Sequence, residues 1–219
     1  MTTFAVLPVK HFAQGKTRLA KDIGTGTRRA LVEAMVTDVL IALRRSQRID
    51  QTLVVTGESA MEAIAHGYDA ATVLDPRDDS HSAAATLGVR EAIARGASRV
   101  LLVPGDCPAL DPKEIDLLLA EAPPAHPDVV IIPDRHGTGT NGLLLSPGDV
   151  IAPSFGPGSC KRHVAAAEEV GASVRIDEVA SLVLDVDTLA DLEALREALG
   201  EGHGNAAHTR GMLNRLARR

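Results

Sequence analysis

Three groups of residues in this 219-residue chain have the types and spacing to handle phosphate and a divalent cation. The first is Pro8-Val9-Lys10-His11-Phe12-Ala13-Gln14-Gly15-Lys16-Thr17-Arg18-Leu19, which follows the first apolar run. Lys10, Lys16 and Arg18 fall within nine positions there. Ligands of open α/β sheets bind at the carboxyl ends of strands. Glycine lets the backbone approach an anion, and Lys and Arg neutralise phosphate charge. The competing reading is a solvated basic loop. Gly15-Lys16-Thr17 imitates half of a Walker A loop, but Lys10 stands where that pattern needs its first glycine. A P-loop NTPase is set aside on that ground and kept only as a rival.

The second group is acidic. In Val103-Pro104-Gly105-Asp106-Cys107-Pro108, an aspartate behind a glycine follows an apolar run and can face the crevice above a sheet. A carboxylate there suits Mg²⁺, which takes one or two carboxylates plus phosphate oxygens. Asp111 before Pro112 is the natural cap of the next helix, which releases Asp106 from that duty. Cys107 has no partner base in view, so a thiol nucleophile is disfavoured. In Leu184-Asp185-Val186-Asp187-Thr188, residues two apart share a side of an extended chain. Asp185 and Asp187 would then repel unless a cation lay between them. Capping of the last helix by Asp187 or Thr188 is the alternative, and it stays open here.

The third group is a pair of glycine-rich loops, Gly137-Thr138-Gly139-Thr140-Asn141-Gly142 and Phe155-Gly156-Pro157-Gly158-Ser159-Cys160-Lys161-Arg162-His163. Ser159 reads as an N-cap, with Lys161 and Arg162 in the first turn. The helix dipole disfavours cations there unless an anion sits at the N-terminus. The eight histidines are scattered without zinc spacing, and each reads as a surface residue rather than a ligand.

The elements that must position these residues alternate. Apolar runs at 4–9, 52–55, 71–74 and 100–103 read as strands. Helical patterns occupy 27–46, a stretch from Ser59, 82–95 and the residues after Pro112. Leu31, Met35, Val39 and Leu43 form one stripe, and Ser59 with Glu62 has capping-box spacing. This rhythm predicts an α/β fold with a mixed, mostly parallel sheet and helices on both faces. After about residue 125 the strands at 129–132, 143–145 and 182–184, with helices at 162–170 and 189–199, add antiparallel pairs to the same sheet. Residues 1–199 read as one domain, and 200–219 as a basic, flexible tail with a short helix from Met212.

Composition narrows the function. The net charge is −6, and the tail is basic, so residues 1–199 are strongly acidic. Nucleic-acid binders show the opposite balance, and aromatic residues are only 2%, too few for base stacking. Two cysteines, Cys107 and Cys160, disfavour a disulfide framework or a structural zinc. No apolar run is long enough to span a bilayer, and no basic segment precedes the first strand. The expectation is a cytoplasmic protein with neither nucleic-acid nor membrane partners; oligomeric state is not legible.

Taken in order, the Lys10-to-Leu19 segment, the Gly105-Asp106-Cys107-Pro108 turn, the Thr138-to-Asn141 and Gly156-to-Ser159 loops and Asp185-Val186-Asp187-Thr188 resemble the guanylyltransferases of coenzyme F-420 biosynthesis. The resemblance runs from about residue 4 to 197. It implies a nucleotide-diphosphosugar transferase (GT-A-like) fold and the transfer of GMP from GTP to phosphoenolpyruvate, with 2-phospho-L-lactate or 3-phosphoglycerate as alternative acceptors. It implies acceptor contacts at Thr140, Gly156 and Ser159, Mg²⁺ at Asp106 and Asp187 with Asp185, and Lys10, Lys16 and Arg18 on the GTP phosphates. His81-Ser82-Ala83-Ala84 departs from the Leu-Asn-x-Ala-like stretch of many relatives, so guanine contacts are left unassigned. Other readings are a nucleotidyltransferase of the same fold for molybdenum cofactor or sugar phosphates, and a non-catalytic nucleotide-binding module.

Overall fold

The computed structural model describes residues 1–10, 19, 23–77, 79–121, 127–200 and 206–217. Lys16 and Arg18 lie outside the described residues. The strands β1 (Thr3–Pro8), β2 (Gln51–Thr56), β3 (Ala71–Leu74), β4 (Arg99–Leu102), β5 (Val129–Pro133), β6 (Thr140–Leu145) and β7 (Val174–Ile176) form one sheet in the order β3-β2-β1-β4-β6-β5-β7. β1 pairs in parallel with β2 and β4, and β2 with β3. β6 runs antiparallel to both β4 and β5, and β7 is parallel to β5. The mixed sheet expected from the change of rhythm is therefore present.

β1 is buried along its whole length because it is central and covered on both faces. Successive side chains point to opposite sides. Ala5 and Leu7 join the core under α1 (Thr25–Arg45), α2 (Ser59–Gly67), α4 (Pro112–Leu118), α6 (Leu189–Gly200) and α7 (Ala207–Leu216). Phe4 and Val6 join the core under α3 (His81–Ala94) and α5 (Ser159–Glu169). Leu31, Met35, Val39 and Leu43 are all buried, so the stripe read on α1 is its packing face.

Four local expectations are corrected. Residues 182–184 are not a strand: a 3-10 turn at Ala180–Leu182 leads into irregular chain, and the last strand is the earlier β7. An apolar triplet fits a buried turn as well as a strand, and burial of Leu182 satisfies it. Ser59 does not cap α2, which begins after Glu58, and Ser159 does not cap α5, whose cap is the left-handed Gly158. Part of the segment expected to be a flexible tail is ordered helix: α7 packs on α1 and α6, burying Thr209, Met212 and Leu213. The buried Asp38 carboxylate of α1 accepts from the His208 and Thr209 amides at 3.1 and 2.7 Å, supplying the cap that α7 lacks in its own sequence. Asp111 caps α4 as expected, accepting from the Lys113 amide.

α3 approaches the sheet so closely that Gly88 has no room for a side chain. A Cβ there would stand 2.4 Å from a Val6 methyl and 2.7 Å from a Val55 methyl. Gly88→Ala gains helix propensity but overpacks two rigid β-branched neighbours. The expected outcome is a net loss of about 1–2 kcal/mol, read from urea unfolding; an unchanged or raised midpoint would contradict this packing. Among the described residues, no helix is long and apolar enough to cross a membrane.

Candidate active site

The carboxyl ends of β1 and β4 open into a cavity of about 220 Å³. Lys10, Pro104, Asp106 and His81 line it together with Val32 and Met35 of α1. A cation and a carboxylate from separate strand ends thus face one space, as the crevice rule for open α/β sheets requires.

Asp106 is half-buried in the turn after β4 and is tied to the distant acidic stretch. Its carbonyl accepts from the Val186 amide at 3.1 Å. Val186 is fully buried, and Asp185 and Asp187 flank it on half-buried positions. The approach to this stretch is held from below. Asn141 Nδ2 donates to the carbonyls of Leu182 (2.8 Å) and Val183 (3.2 Å) and to Asp185 Oδ1 (3.2 Å). Cys107 is fully buried, with Sγ donating to the Leu182 carbonyl at 3.6 Å, a structural role rather than a nucleophile's.

Electrostatics report the same convergence. Burial and then the Asp106 carboxylate push the Asp185 carboxyl above its ordinary range; Asn141 opposes this and Asp187 adds to it. The capping bonds at 187–188 are also defined. Thr188 and Asp191 form a reciprocal capping box: Asp191 Oδ2 accepts from the Thr188 amide (2.7 Å) and hydroxyl (2.9 Å), and Thr188 Oγ1 accepts from the Asp191 amide (3.3 Å). Asp191 also accepts from the Asp187 amide and pairs with Arg135. Burial opposes ionisation of Asp191, but these donors and Arg135 outweigh it and hold its carboxyl below the usual range. The capping box is thus complete without the Asp187 side chain.

On the other face of the sheet, the three expected acceptor contacts come together. Ser159 Oγ lies 3.0 Å from Thr140 Oγ1, and the Ser159 amide donates to the Gly156 carbonyl at 3.0 Å. Gly156 and Gly158 have φ of 106° and 72°, a conformation that side-chain-bearing residues rarely adopt, which is why this loop needs glycine twice. Arg162, in the first turn of α5, folds back on the loop before it. Its guanidinium donates to the carbonyls of Ser154, Phe155 and Pro157 and to Ser154 Oγ, so it clamps the loop.

His163 corrects the reading of the histidines as surface residues: it is fully buried. Nε2 accepts from the Ser154 amide at 2.9 Å, and Nδ1 lies 3.1 Å from Thr140 Oγ1. Phe155 stands edge-on between His163 (5.4 Å) and the cavity-lining His81 (5.0 Å).

A family model for CofC-like guanylyl transferases matches residues 3–218. A phosphoenolpyruvate guanylyltransferase of Conexibacter woesei is 53% identical over 218 residues, covering 100% of this chain and 98% of the relative. The chain belongs to the CofC-like guanylyl transferase family. A 2-phospho-L-lactate guanylyltransferase of Methanothermobacter thermautotrophicus is 32% identical over 99% of this chain and 92% of its own. A solved structure from Desulfovibrio desulfuricans, described as a nucleotide-diphospho-sugar transferase, superposes with a TM-score of 0.77 at 18% identity, over 100% of this chain and 96% of its own. The fold is thus of the nucleotide-diphospho-sugar transferase type, and the guanylyl transferase match runs through α7.

Of the residues expected to form the site, the fold brings together Lys10 with Asp106, Asp106 with Asp185 and Asp187, and Thr140 with Gly156 and Ser159. Sequence reasoning missed His163 and Asn141. The available signal for His163 was its spacing of four from Ser159, which puts both on one helix face. Asn141 was visible as a polar residue at the start of an apolar strand.

Burial and then Arg162 push the His163 imidazole down to about 4 from its ordinary 6.5. Between those values the unfolded chain holds a proton that the folded ring refuses, so stability falls as pH drops through the window. The expected loss is about 3 kcal/mol from this group between pH 6.5 and 4. NMR titration of the imidazole together with urea unfolding at pH 7 and 4.5 checks it; titration near 6.5 would contradict the burial.

Proposed function

We propose that this guanylyltransferase transfers GMP from GTP to phosphoenolpyruvate and releases pyrophosphate, in coenzyme F-420 biosynthesis in the cytoplasm. The observation that carries the reading is at the start of β6. Thr140 is bonded to Ser159 and His163 on one face, and Asn141 is bonded to Asp185 on the other. One strand end thus adjoins an acidic cluster and a hydroxyl pair, which suits two anionic reactants brought side by side. The 53% identity to a phosphoenolpyruvate enzyme, against 32% to a 2-phospho-L-lactate enzyme, favours phosphoenolpyruvate as acceptor.

The acceptor's phosphate monoester is largely ionised at neutral pH, its second pKa being about 6, so its oxygen can attack the α-phosphorus of GTP without a general base. Pyrophosphate leaves. Lys10 offsets triphosphate charge, with Lys16 and Arg18 proposed for the same task. Thr140, Ser159 and the Gly156 backbone orient the acceptor, so that the reaction gains from proximity.

Asp106, Asp185 and Asp187 are proposed to hold Mg²⁺. Among the described residues no three His, Cys, Asp or Glu side chains already form a closed ligand set. The fit instead rests on the crowding that lifts Asp185, which a dication would relieve. Mg²⁺ itself prefers one or two carboxylates, with phosphate oxygens and water completing its shell. When bound, it would supply neutralising charge at the phosphates.

Pyrophosphate release with each of the four NTPs, crossed with phosphoenolpyruvate, 2-phospho-L-lactate and 3-phosphoglycerate in Mg²⁺, tests the assignment. GTP with phosphoenolpyruvate is the expected pair, and a higher kcat/KM for any other pair overturns it. Asp106→Asn is expected to lower kcat by about 100-fold or more, and an active Asp106→Asn enzyme would remove Asp106 from the chemistry.

A further inference from the structure

The hydrogen bonds around His163 have a direction that distances alone do not state. A backbone amide can only donate, so the Ser154 N–H at 2.9 Å makes Nε2 an acceptor. A neutral imidazole carries one proton, which must then sit on Nδ1, 3.1 Å from Thr140 Oγ1. Nδ1–H therefore donates to Thr140, and the Thr140 hydroxyl cannot spend its own proton on the ring. One further bond joins the hydroxyls of Thr140 and Ser159 at 3.0 Å and uses one of their two protons. The other proton has no acceptor among the described residues. Ser159 is fully buried and Thr140 only partly, so the outward position belongs to Thr140.

We propose that His163 is a positioning residue for the acceptor: by donating from Nδ1 to Thr140, it obliges the Thr140/Ser159 pair to present a hydroxyl proton to an anionic oxygen of the phosphorylated acid. This rests on the reading of Thr140 and Ser159 as acceptor contacts. A phosphate or carboxylate oxygen accepts hydrogen bonds and offers none, so a hydroxyl turned inward would meet it lone pair to lone pair. The opposite tautomer, with its proton on Nε2, would face the Ser154 N–H and draw the Thr140 proton to Nδ1.

The surroundings hold the ring in this state. Ser154 is fixed by Arg162, which donates to both its carbonyl and its hydroxyl, and the Phe155 amide is fixed by Ser82 Oγ at 2.8 Å. The Phe155 ring packs edge-on against the imidazole. Complete burial keeps the ring neutral at the pH where phosphate monoesters are ionised. The Ser154 amide thereby sets the polarity of a three-group chain that ends on the acceptor.

The test measures both KM values, with GTP and phosphoenolpyruvate varied in turn, for His163→Phe, His163→Asn and Thr140→Val. His163→Phe keeps the ring's shape and removes the donor. It is expected to raise the acceptor KM about tenfold, while the GTP KM stays within about twofold. His163→Asn, whose amide can donate to Thr140, is expected to recover most of that loss. Thr140→Val should raise the acceptor KM alike, and the His163→Phe/Thr140→Val double variant should be no worse than either single change. In the wild-type enzyme, ¹⁵N NMR should show His163 as the Nδ1–H tautomer, a measurement that decides the matter even where His163→Phe does not fold. An Nε2–H tautomer overturns the proposal, as does an equal rise in both KM values. It also falls if the acceptor KM is unchanged in His163→Phe while Thr140→Val raises it. An acceptor KM unchanged in Thr140→Val removes the acceptor reading itself, and the proposal falls with it.

Discussion

Everything in the acidic half of the site depends on like charges being held close against their repulsion. Asp106 comes from the turn after β4, and Asp185 and Asp187 come from a stretch some eighty residues later. What keeps them together is neutral: the Val186 amide on the Asp106 carbonyl, full burial of the Val186 side chain, and the Asn141 amide on the carbonyls just before Asp185. The backbone fixes the geometry, and the carboxylates bear the electrostatic cost. That cost registers at Asp185, whose carboxyl is displaced upward by burial and by Asp106. A protein that needed only a helix cap at this place would have no reason to accumulate it, since Thr188 and Asp191 complete the cap by themselves.

The hydroxyl half of the site is built on the opposite plan. Its parts are uncharged, and it gains definition from direction rather than from charge. Arg162 is fully engaged with loop carbonyls, so the strong cation near this helix N-terminus acts as a fastener. The helix begins on a left-handed glycine with no side-chain cap, which leaves the Ser159 hydroxyl for Thr140 instead of for its own helix. A cap at Ser159 and a contact to Thr140 are competing uses of one oxygen, and the φ of Gly158 decides between them.

The architecture was legible because it rests on periodicity. Buried parallel strands write themselves as continuous apolar runs, and α1 as a four-apart stripe. The ordered acidic and glycine-rich motifs likewise pointed to residues that the fold does bring together. What failed was local and polar. Ser59 and Ser159 have cap-like spacing, yet neighbouring residues serve as caps, because a hydroxyl's partner is chosen by tertiary contact. Residues 182–184 looked like a strand because burial alone produces apolar triplets. His163 looked like one histidine among eight, since its partners, Ser154 and Thr140, are nine and twenty-three residues away. The cap of α7 was invisible for the same reason: its carboxylate, Asp38, stands about 170 residues earlier.

β6 carries Thr140 and Asn141 as neighbours, so the pleat sends one toward α5 and the other toward the aspartates. The pairing of β6 with β4 and β5 is therefore a ruler. A slip of the strand by one residue would exchange the two side chains between faces, and would turn Leu143 to Leu145 over with them. Amide would then meet imidazole and hydroxyl would meet carboxylate. The apolar half of β6 thus guards the polar order at its start.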